Sequence, residues 1–366
     1  LPDVTEVPPS DNVELEKDSI AATGPGDATS SEGNDAQKIG CLGSCRGYLF
    51  SLVRFLGHCV LIGCGFQLIV GTLLRLTIKD TIPHLSLFYY ASPPILLSLA
   101  ALILSLRQCL LKERRWAIML AVVSLVMVGW WHWESYQHFT SRSMTENEVP
   151  RKVLFWNVSY AKAGWPTLIE EIQQHDPDII GMVEVGHGFR AQQDWLNDAF
   201  PDHAIQFVGH GFVLVRGEIL SHERGLLKDH GAYGVVRARL LDGAELDIIL
   251  TDIYAYPFMP RGPAFSALSQ VIEAKTEKPI CLMGDFNTPP DSVFFDGFRE
   301  KLEHSFEVAG EGYQVTWPAP VPVLCLDQIW LPRGETRSSR YQSTPHSDHR
   351  LVVAEFHLKN HSQDEL

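Results

Sequence analysis

The sequence predicts an α/β domain of two packed, mixed β-sheets flanked by helices, carried behind three membrane-spanning helices. Three observations lead there. Charge is segmented: nine acidic against two basic residues over 1–40, five against nine over 41–149, and 30 against 19 over 150–366, so the chain's net −14 divides as −7, +4 and −11 and a single uniform domain is excluded. Three apolar runs, at 55–76, 87–106 and 116–133, each approach the roughly 17–25 residues that cross a bilayer core. From Arg151 onward, short β-rich runs alternate with helix-like stretches, the pattern of an α/β domain.

Residues 1–40 combine Pro, Gly, Ser, Thr and Asp without an aromatic residue, and read as a disordered acidic tail. No apolar stretch follows a basic start within it, so it is not read as a signal peptide. Residues 41–133 form the membrane region. Cys41 and Cys45 are four apart with no second Cys or His pair at metal spacing, which argues against zinc. Pro93-Pro94 kinks the second apolar run, a break that membrane helices tolerate. The third ends in Trp130, Trp131 and Trp133, suited to a membrane–water interface.

The loop 107–115 carries Arg107, Lys112, Arg114 and Arg115, whereas the loop before the second run offers Arg75 and Lys79 beside Asp80. The positive-inside rule puts the richer loop in the cytoplasm and everything after Trp133 outside, in the periplasm or its equivalent. That reading sends the acidic tail outside too, while Arg46 and Arg54 argue for the inside, so the tail's side stays open.

Residues 134–150 are polar and read as a linker, 151–358 as the folded domain and 359–366 as a polar tail. Within the domain, runs at 153–158, 179–185, 204–208, 211–215, 235–240, 246–254, 279–283, 325–330 and 351–356 predict strands. Stretches at 165–175, 189–199, 263–275 and 291–302 predict helices, the last with Asp291 as N-cap. Cys281 and Cys325 sit in apolar runs and read as reduced core thiols.

Several strand runs adjoin a polar residue: Asn157, Glu184, Asp285 with Asn287, Asp327, and Asp348-His349 just ahead of the final strand. Gathered on one rim, carboxylates and amide oxygens suit a hard divalent cation such as Mg²⁺, without which they would repel one another. Singly, each has a bland reading as a turn former or surface pair. Their order and company carry the functional one.

With these residues the sequence resembles the endonuclease/exonuclease/phosphatase superfamily of deoxyribonuclease I-like fold. The matching strings are Phe155-Trp156-Asn157-Val158, residues 177–185 ending in Glu184-Val185, Met283-Gly284-Asp285-Phe286-Asn287-Thr288-Pro289, Leu326-Asp327-Gln328-Ile329 and Ser347-Asp348-His349-Arg350. The resemblance implies a four-layer sandwich and a site in which Glu184, Asn157 and Asp348 hold Mg²⁺, with Mn²⁺ as an alternative. It implies that Asp285 activates the attacking water, that Asn287 donates to a phosphate oxygen, and that His349, oriented by Asp327, bonds the phosphate or transfers a proton. Two departures stand out. Many members carry a first His shortly before a Pro, where this chain has Asp252-Ile253-Tyr254-Ala255-Tyr256-Pro257; Tyr254 is the first choice for that place, with Tyr256 and Asp252 competing. Gln328 follows Asp327 where His is common. Arg261, on the loop after Tyr254, is a candidate for the substrate phosphate, with a solvated loop residue as the equal alternative.

The function expected is a membrane-anchored, metal-dependent phosphoester hydrolase working beside the bilayer on a small or lipid-linked phosphate. A nuclease is the alternative; the acidic balance weighs against tight duplex binding, which needs clustered Lys and Arg. A non-catalytic signalling module comes last, and no protein partner is predictable.

Overall fold

The computed structural model describes residues 34–138, 150–186, 188–256, 258–275 and 277–358. The expected tails, apart from 34–40, and the linker over 139–149 lie outside the described residues. The chain divides into two units, Leu1–His58 and Cys59–Leu366. The described part of the first is helical. Helix α1 (Asn34–Phe66) begins inside the segment expected to lack structure and continues through a π-helical turn, Gln67–Gly71, into α2 (Thr72–Leu76).

Then come α3 (Pro83–Tyr90), α4 (Pro94–Leu110) and α5 (Arg114–Ser135). Leu49–Leu76 and Arg114–Ser135 are long and apolar enough to cross a membrane; a third crossing is reached only if α3 and α4, bent by 68° at the Pro93-Pro94 break, count as one. The kink expected at Pro93-Pro94 is present, and it divides the run into a short helix and a 17-residue one. Pro fixes its own φ and steers the residue before it out of the helical region, so the run cannot pass straight through. Helices α4 and α5 form an antiparallel hairpin tied by Ser98–Ser124 and by Ser105 Oγ donating to Ala117 O at 2.7 Å. Its turn lies at the end away from Pro94 and Ser135.

The expected linker start is also corrected: Glu134 and Ser135 complete α5, and β1 (Tyr136–Gln137) pairs with β10 (Gly310–Tyr313). The remaining strands are β2 (Arg151–Asn157), β3 (Ile179–Val183), β4 (His203–Val208), β5 (Gly211–Leu226), β6 (Gly231–Leu240), β7 (Glu245–Ile253), β8 (Ile280–Asp285), β9 (Leu302–His304), β11 (Asp327–Pro332), β12 (Thr336–Gln342) and β13 (Leu351–Phe356). They follow one hydrogen-bonded path, β1-β10-β12-β13-β2-β3-β5-β6-β7-β8-β11-β9, with β4 beside β5.

Strand β5 makes this path fold over. Residues 211–216 pair with β3 and β4, whereas 217–226 pair with β6. Gly217 stands at the junction with φ +149°, where a Cβ would come within 2.2 Å of Arg239 O. Only glycine turns that corner without strain. The two halves then face each other: Phe155, Ile179 and Val213 on one side pack with Val236, Ile248 and Met283 on the other. Alternation along each strand sends the intervening residues outward. Leu154, Trp156 and Met182 meet α6 (Trp165–Gln173) and α7 (Phe189–Ala199); Ile249, Leu282 and Trp330 meet α8 (Gly262–Ala274) and the aromatic residues Phe295 and Phe298 around α9 (Asp296–Lys301). The layers thus run helix, sheet, sheet, helix. Cys281 and Cys325 are buried and free.

Trp330 is fully buried and stacked on Phe295 at 5.2 Å. Trp330→Ala is expected to cost about 3–5 kcal/mol, read as a lowered melting temperature of the full chain in detergent.

The helical region and the sheet domain are joined by a buried polar network. Asp291 accepts from Arg75 at 2.7 Å and from the Tyr89 hydroxyl at 2.5 Å, and its carbonyl accepts from Lys79 at 2.7 Å. Asp80, wholly buried, accepts from Ser292 Oγ at 2.5 Å and from Tyr90 Oη at 2.9 Å. Asp291 is therefore not the N-cap expected of it. Ser292 caps the 3-10 turn Val293–Phe295, and the helix proper begins at Asp296. A short α10 (Ser305–Ala309) completes the domain.

Candidate active site

Strand direction decides which residues meet. Strands β2 and β3 are parallel, so Asn157 and Glu184 leave the sheet on the same edge. Strands β7 and β8 are parallel with Asp252 opposite Asp285, and antiparallel β11 begins with Asp327 opposite Asp285. Antiparallel β13 places His349 at the end of β2, where Trp156 Nε1 donates to the His349 carbonyl at 3.2 Å. Asp327 opens its strand rather than lying inside one; Leu326, expected in that strand, lines a cavity instead, as does Leu324. One cavity of about 480 Å³ is lined by Glu184, Asp285, Asn287, Asp348, His349 and Arg261, among others.

Asp285 is buried, and each of its oxygens accepts one hydrogen bond. Its Oδ1 accepts from the Asn287 amide at 2.9 Å and its Oδ2 from Asn157 Nδ2 at 3.0 Å. Burial, reinforced by the charge of Asp327, holds its carboxyl well above the ordinary carboxylate range. Asn287 has φ +46°, a turn conformation that Asn tolerates, and its Nδ2 donates to Ile253 O at 2.7 Å. His349 Nδ1 lies 2.8 Å from Asp327 Oδ2 and 4.0 Å from Asp285 Oδ2. Burial alone would lower this imidazole's pKa, but the charge and hydrogen bond of Asp327, with Asp285 and Asp348 adding, raise it to about 10. At neutral pH His349 is a cation with Nδ1 committed to Asp327.

Glu184 is half-buried at φ +52°, and Asn157 hydrogen-bonds its carboxylate. Burial is the main cause that raises its pKa, with the charges of Asp252 and Asp348 adding. Carboxylates that crowd one another in this way fit a hard divalent cation. Asp348 is exposed, and despite its partial desolvation a Ser159 hydrogen bond and His349 lower its pKa. The tightest cluster of ligand-type atoms among the described residues is a different one: Asp285, Asp327 and His349, all within 4.8 Å. A histidine hydrogen-bonded to one carboxylate and close to a second already accounts for that group, and Mg²⁺ prefers oxygen. Glu184, Asn157 and Asp348 carry oxygen donors of the kind Mg²⁺ takes.

Arg261 resolves its two readings in one respect: it is 4% exposed, so it is not a solvated loop residue. Its guanidinium donates to Tyr254 O, and desolvation lowers its pKa against the favourable charges around it. Tyr254 itself lines a second cavity of about 530 Å³, which shares Tyr160, Glu184, Ala255 and Asn287 with the first. Its ring stacks on His210 at 5.9 Å, and His210 Nδ1 lies 3.3 Å from Asp252 Oδ2. The hydrogen bond to Asp252 is the main cause of a raised His210 pKa. The sequence reading assigned His210 no role. It sits on the turn between β4 and β5, and only the hairpin brings it beside the strand end that lacks a histidine. Lys162, Nζ to Ser159 Oγ at 3.1 Å, is a second cation on the first cavity that sequence reasoning passed over.

A family model described as Endonuclease/Exonuclease/phosphatase family matches residues 154–349, more than half of the chain. The search of curated proteins finds no match. Among solved structures, a mannosyl-6-phosphatase of Bacteroides thetaiotaomicron is 18% identical, covering 57% of this chain and 100% of its own, with a TM-score of 0.49. The human Nocturnin catalytic domain with bound sulfate is 19% identical over 60% of this chain and 96% of its own, with a TM-score of 0.49. An endonuclease/exonuclease/phosphatase from Bacteroides vulgatus is 16% identical over 58% and 100%, also with a TM-score of 0.49.

Proposed function

The chain belongs to the endonuclease/exonuclease/phosphatase family and is a hydrolase acting on ester bonds, and we propose that it is a membrane-anchored, divalent-metal-dependent phosphoester hydrolase. The observation that carries this is the meeting of Asp285, His349 and Glu184 on one cavity wall from three separate strand ends.

Asp285 holds the attacking water and takes its proton as the water oxygen bonds to phosphorus. The ester P–O bond on the far side breaks, and His349, cationic and aligned by Asp327, donates to the phosphate or to the leaving oxygen. Asn287 and Arg261 donate to phosphate oxygens, with Tyr254 bordering the site from the adjoining cavity. A bound Mg²⁺ or Mn²⁺, held by Glu184, Asn157 and Asp348, supplies neutralisation of the phosphate's charge. Such a transition state asks for positioning and electrostatic complementarity more than for covalent help.

Membrane anchoring is supported by the two long apolar helices and by how much of their apolar surface is exposed. With α3 and α4 taken as one crossing, the count is three. The loop 107–115 is two crossings away from the residues before the first span, so both flanks share a side. Arg46 and Arg54 then agree with Arg107, Lys112, Arg114 and Arg115 in marking the cytoplasm, and one more crossing puts the catalytic domain outside.

Glu184→Gln is expected to raise the Mg²⁺ concentration for half-maximal activity by about 100-fold, measured on the full chain with bis-p-nitrophenyl phosphate. An unchanged Mg²⁺ requirement would remove Glu184 from the metal set.

A further inference from the structure

The cavity that holds the reaction centre has walls of two kinds. Beside the carboxylates it is lined by Leu87 of α3, by Ala91 just past that helix, and by Trp317, Leu324 and Leu326 from the loop before β11. Helix α3 belongs to the membrane region: it follows the first long apolar helix and bends 68° away from α4. Its position is fixed. Tyr89 and Tyr90 bond Asp291 and Asp80, and Asp80 in turn receives Ser292 Oγ, on the loop that begins at Asn287. Apolar residues also stay uncovered on the site's loops: Tyr160 is 62% exposed, Tyr256 64%, Phe258 71% and Val321 74%. Cations on the cavity are few and not in a row: Arg261, Lys162 and the protonated His349, against Glu184, Asp285 and Asp348. A nucleic acid strand, which carries a charge at every phosphate, calls for a row of cations that this lining lacks. A single phosphoester attached to a hydrocarbon chain matches both walls at once.

We propose that the substrate is a membrane phospholipid, its headgroup phosphoester at Asp285 and His349 and its hydrocarbon part along Leu87, Ala91 and Leu324, with α3 serving as the wall that hands it over from the bilayer. This rests on the phosphoester hydrolase reading above. The bond change is that of the general reaction: the water oxygen joins phosphorus as its proton passes to Asp285, the ester P–O bond breaks, and the leaving oxygen takes a proton from His349.

The test uses the full chain in nanodiscs with Mg²⁺ and the p-nitrophenyl esters of methyl, butyl and octyl phosphate, all below their aggregation limits. kcat/KM is expected to rise about tenfold or more from methyl to octyl, and Leu87→Asn or Leu324→Asn, checked for an unchanged melting temperature, to pull that ratio toward one. Phosphatidic acid or phosphatidylglycerol placed in the disc is expected to be cleaved faster than free glycerol phosphate at equal concentration. A wild-type ratio near one, glycerol phosphate cleaved as fast as the lipid, or a single-stranded oligonucleotide cleaved faster than the octyl ester each overturns the lipid assignment while the hydrolase reading stands. Absence of nitrophenol release from every ester overturns both.

Discussion

Asp285→Asn is expected to lower kcat by about 10³–10⁴-fold while leaving the fold intact and stabilising it at neutral pH. The substitution keeps the shape of the side chain but removes the group that accepts the water's proton. Its neighbours are donors, the Asn287 amide at 2.9 Å and Asn157 Nδ2 at 3.0 Å, so one side of the new amide is mismatched. Against that small cost stands the relief of a buried charge. Burial and Asp327 raise the folded carboxyl's pKa above its unfolded value, so the native protein is penalised once pH rises past the unfolded value of about 3.9. The variant carries no such penalty. Its stability advantage should grow as pH climbs from the unfolded value of about 3.9 toward the folded value of about 8, and vanish as pH falls toward 4. Turnover of bis-p-nitrophenyl phosphate and melting temperature, measured together over pH, check both halves. A kcat within tenfold of the native value would remove Asp285 from the water-activating role.

The rim was legible because strands end abruptly and polar residues follow at once. Phe155-Trp156-Asn157 and Met283-Gly284-Asp285 are apolar runs that end in a polar side chain, which stays buried only with a hydrogen-bond partner, here each other, and the register pairs Asp285 with both Asp252 and Asp327. What was not legible came from elements with weak local signals. Strand β12 (Thr336–Gln342) reads TRSSRYQ, more polar than apolar, and exists because it pairs with β13 and β10. Strand β5 continues past Val215 through Glu218, His222 and Arg224, held by pairing with β6 rather than by periodicity. His210 and Lys162 reach the cavities through a turn and a loop, where spacing along the chain predicts no proximity. Asp291 shows the same limit in reverse: its position suits a helix cap, yet a partner more than 200 residues away, Arg75, claims it.

Asp327→Asn is the second substitution expected to have a large effect, a fall in kcat/KM of about 10²–10⁴-fold with a displaced alkaline limb. Asp327 does not line the cavity; it acts through His349 Nδ1 at 2.8 Å and is itself wholly buried. Burial would leave His349 neutral at pH 7, and it is Asp327 first, then Asp285 and Asp348, that lifts its pKa to about 10. Replacing the carboxylate by an amide removes the largest of those supports. The imidazole should then lose its proton near or below its unfolded value of about 6.5, and the limb of activity that depends on protonated His349 should move down from about 10 by several pH units. Stability must follow the same sign. A raised folded pKa contributes stability that is full below the unfolded value and fades as pH climbs through the folded one. The native chain should therefore soften between about 6.5 and 10, and the Asn variant should lack that dependence. His349→Gln supplies the comparison: it abolishes the titrating group, so its activity loss should match at neutral pH without any shift of limb. An Asp327→Asn enzyme whose alkaline limb stayed at the native pH would mean that the His349–Asp327 contact holds the strands together and leaves the proton where it was.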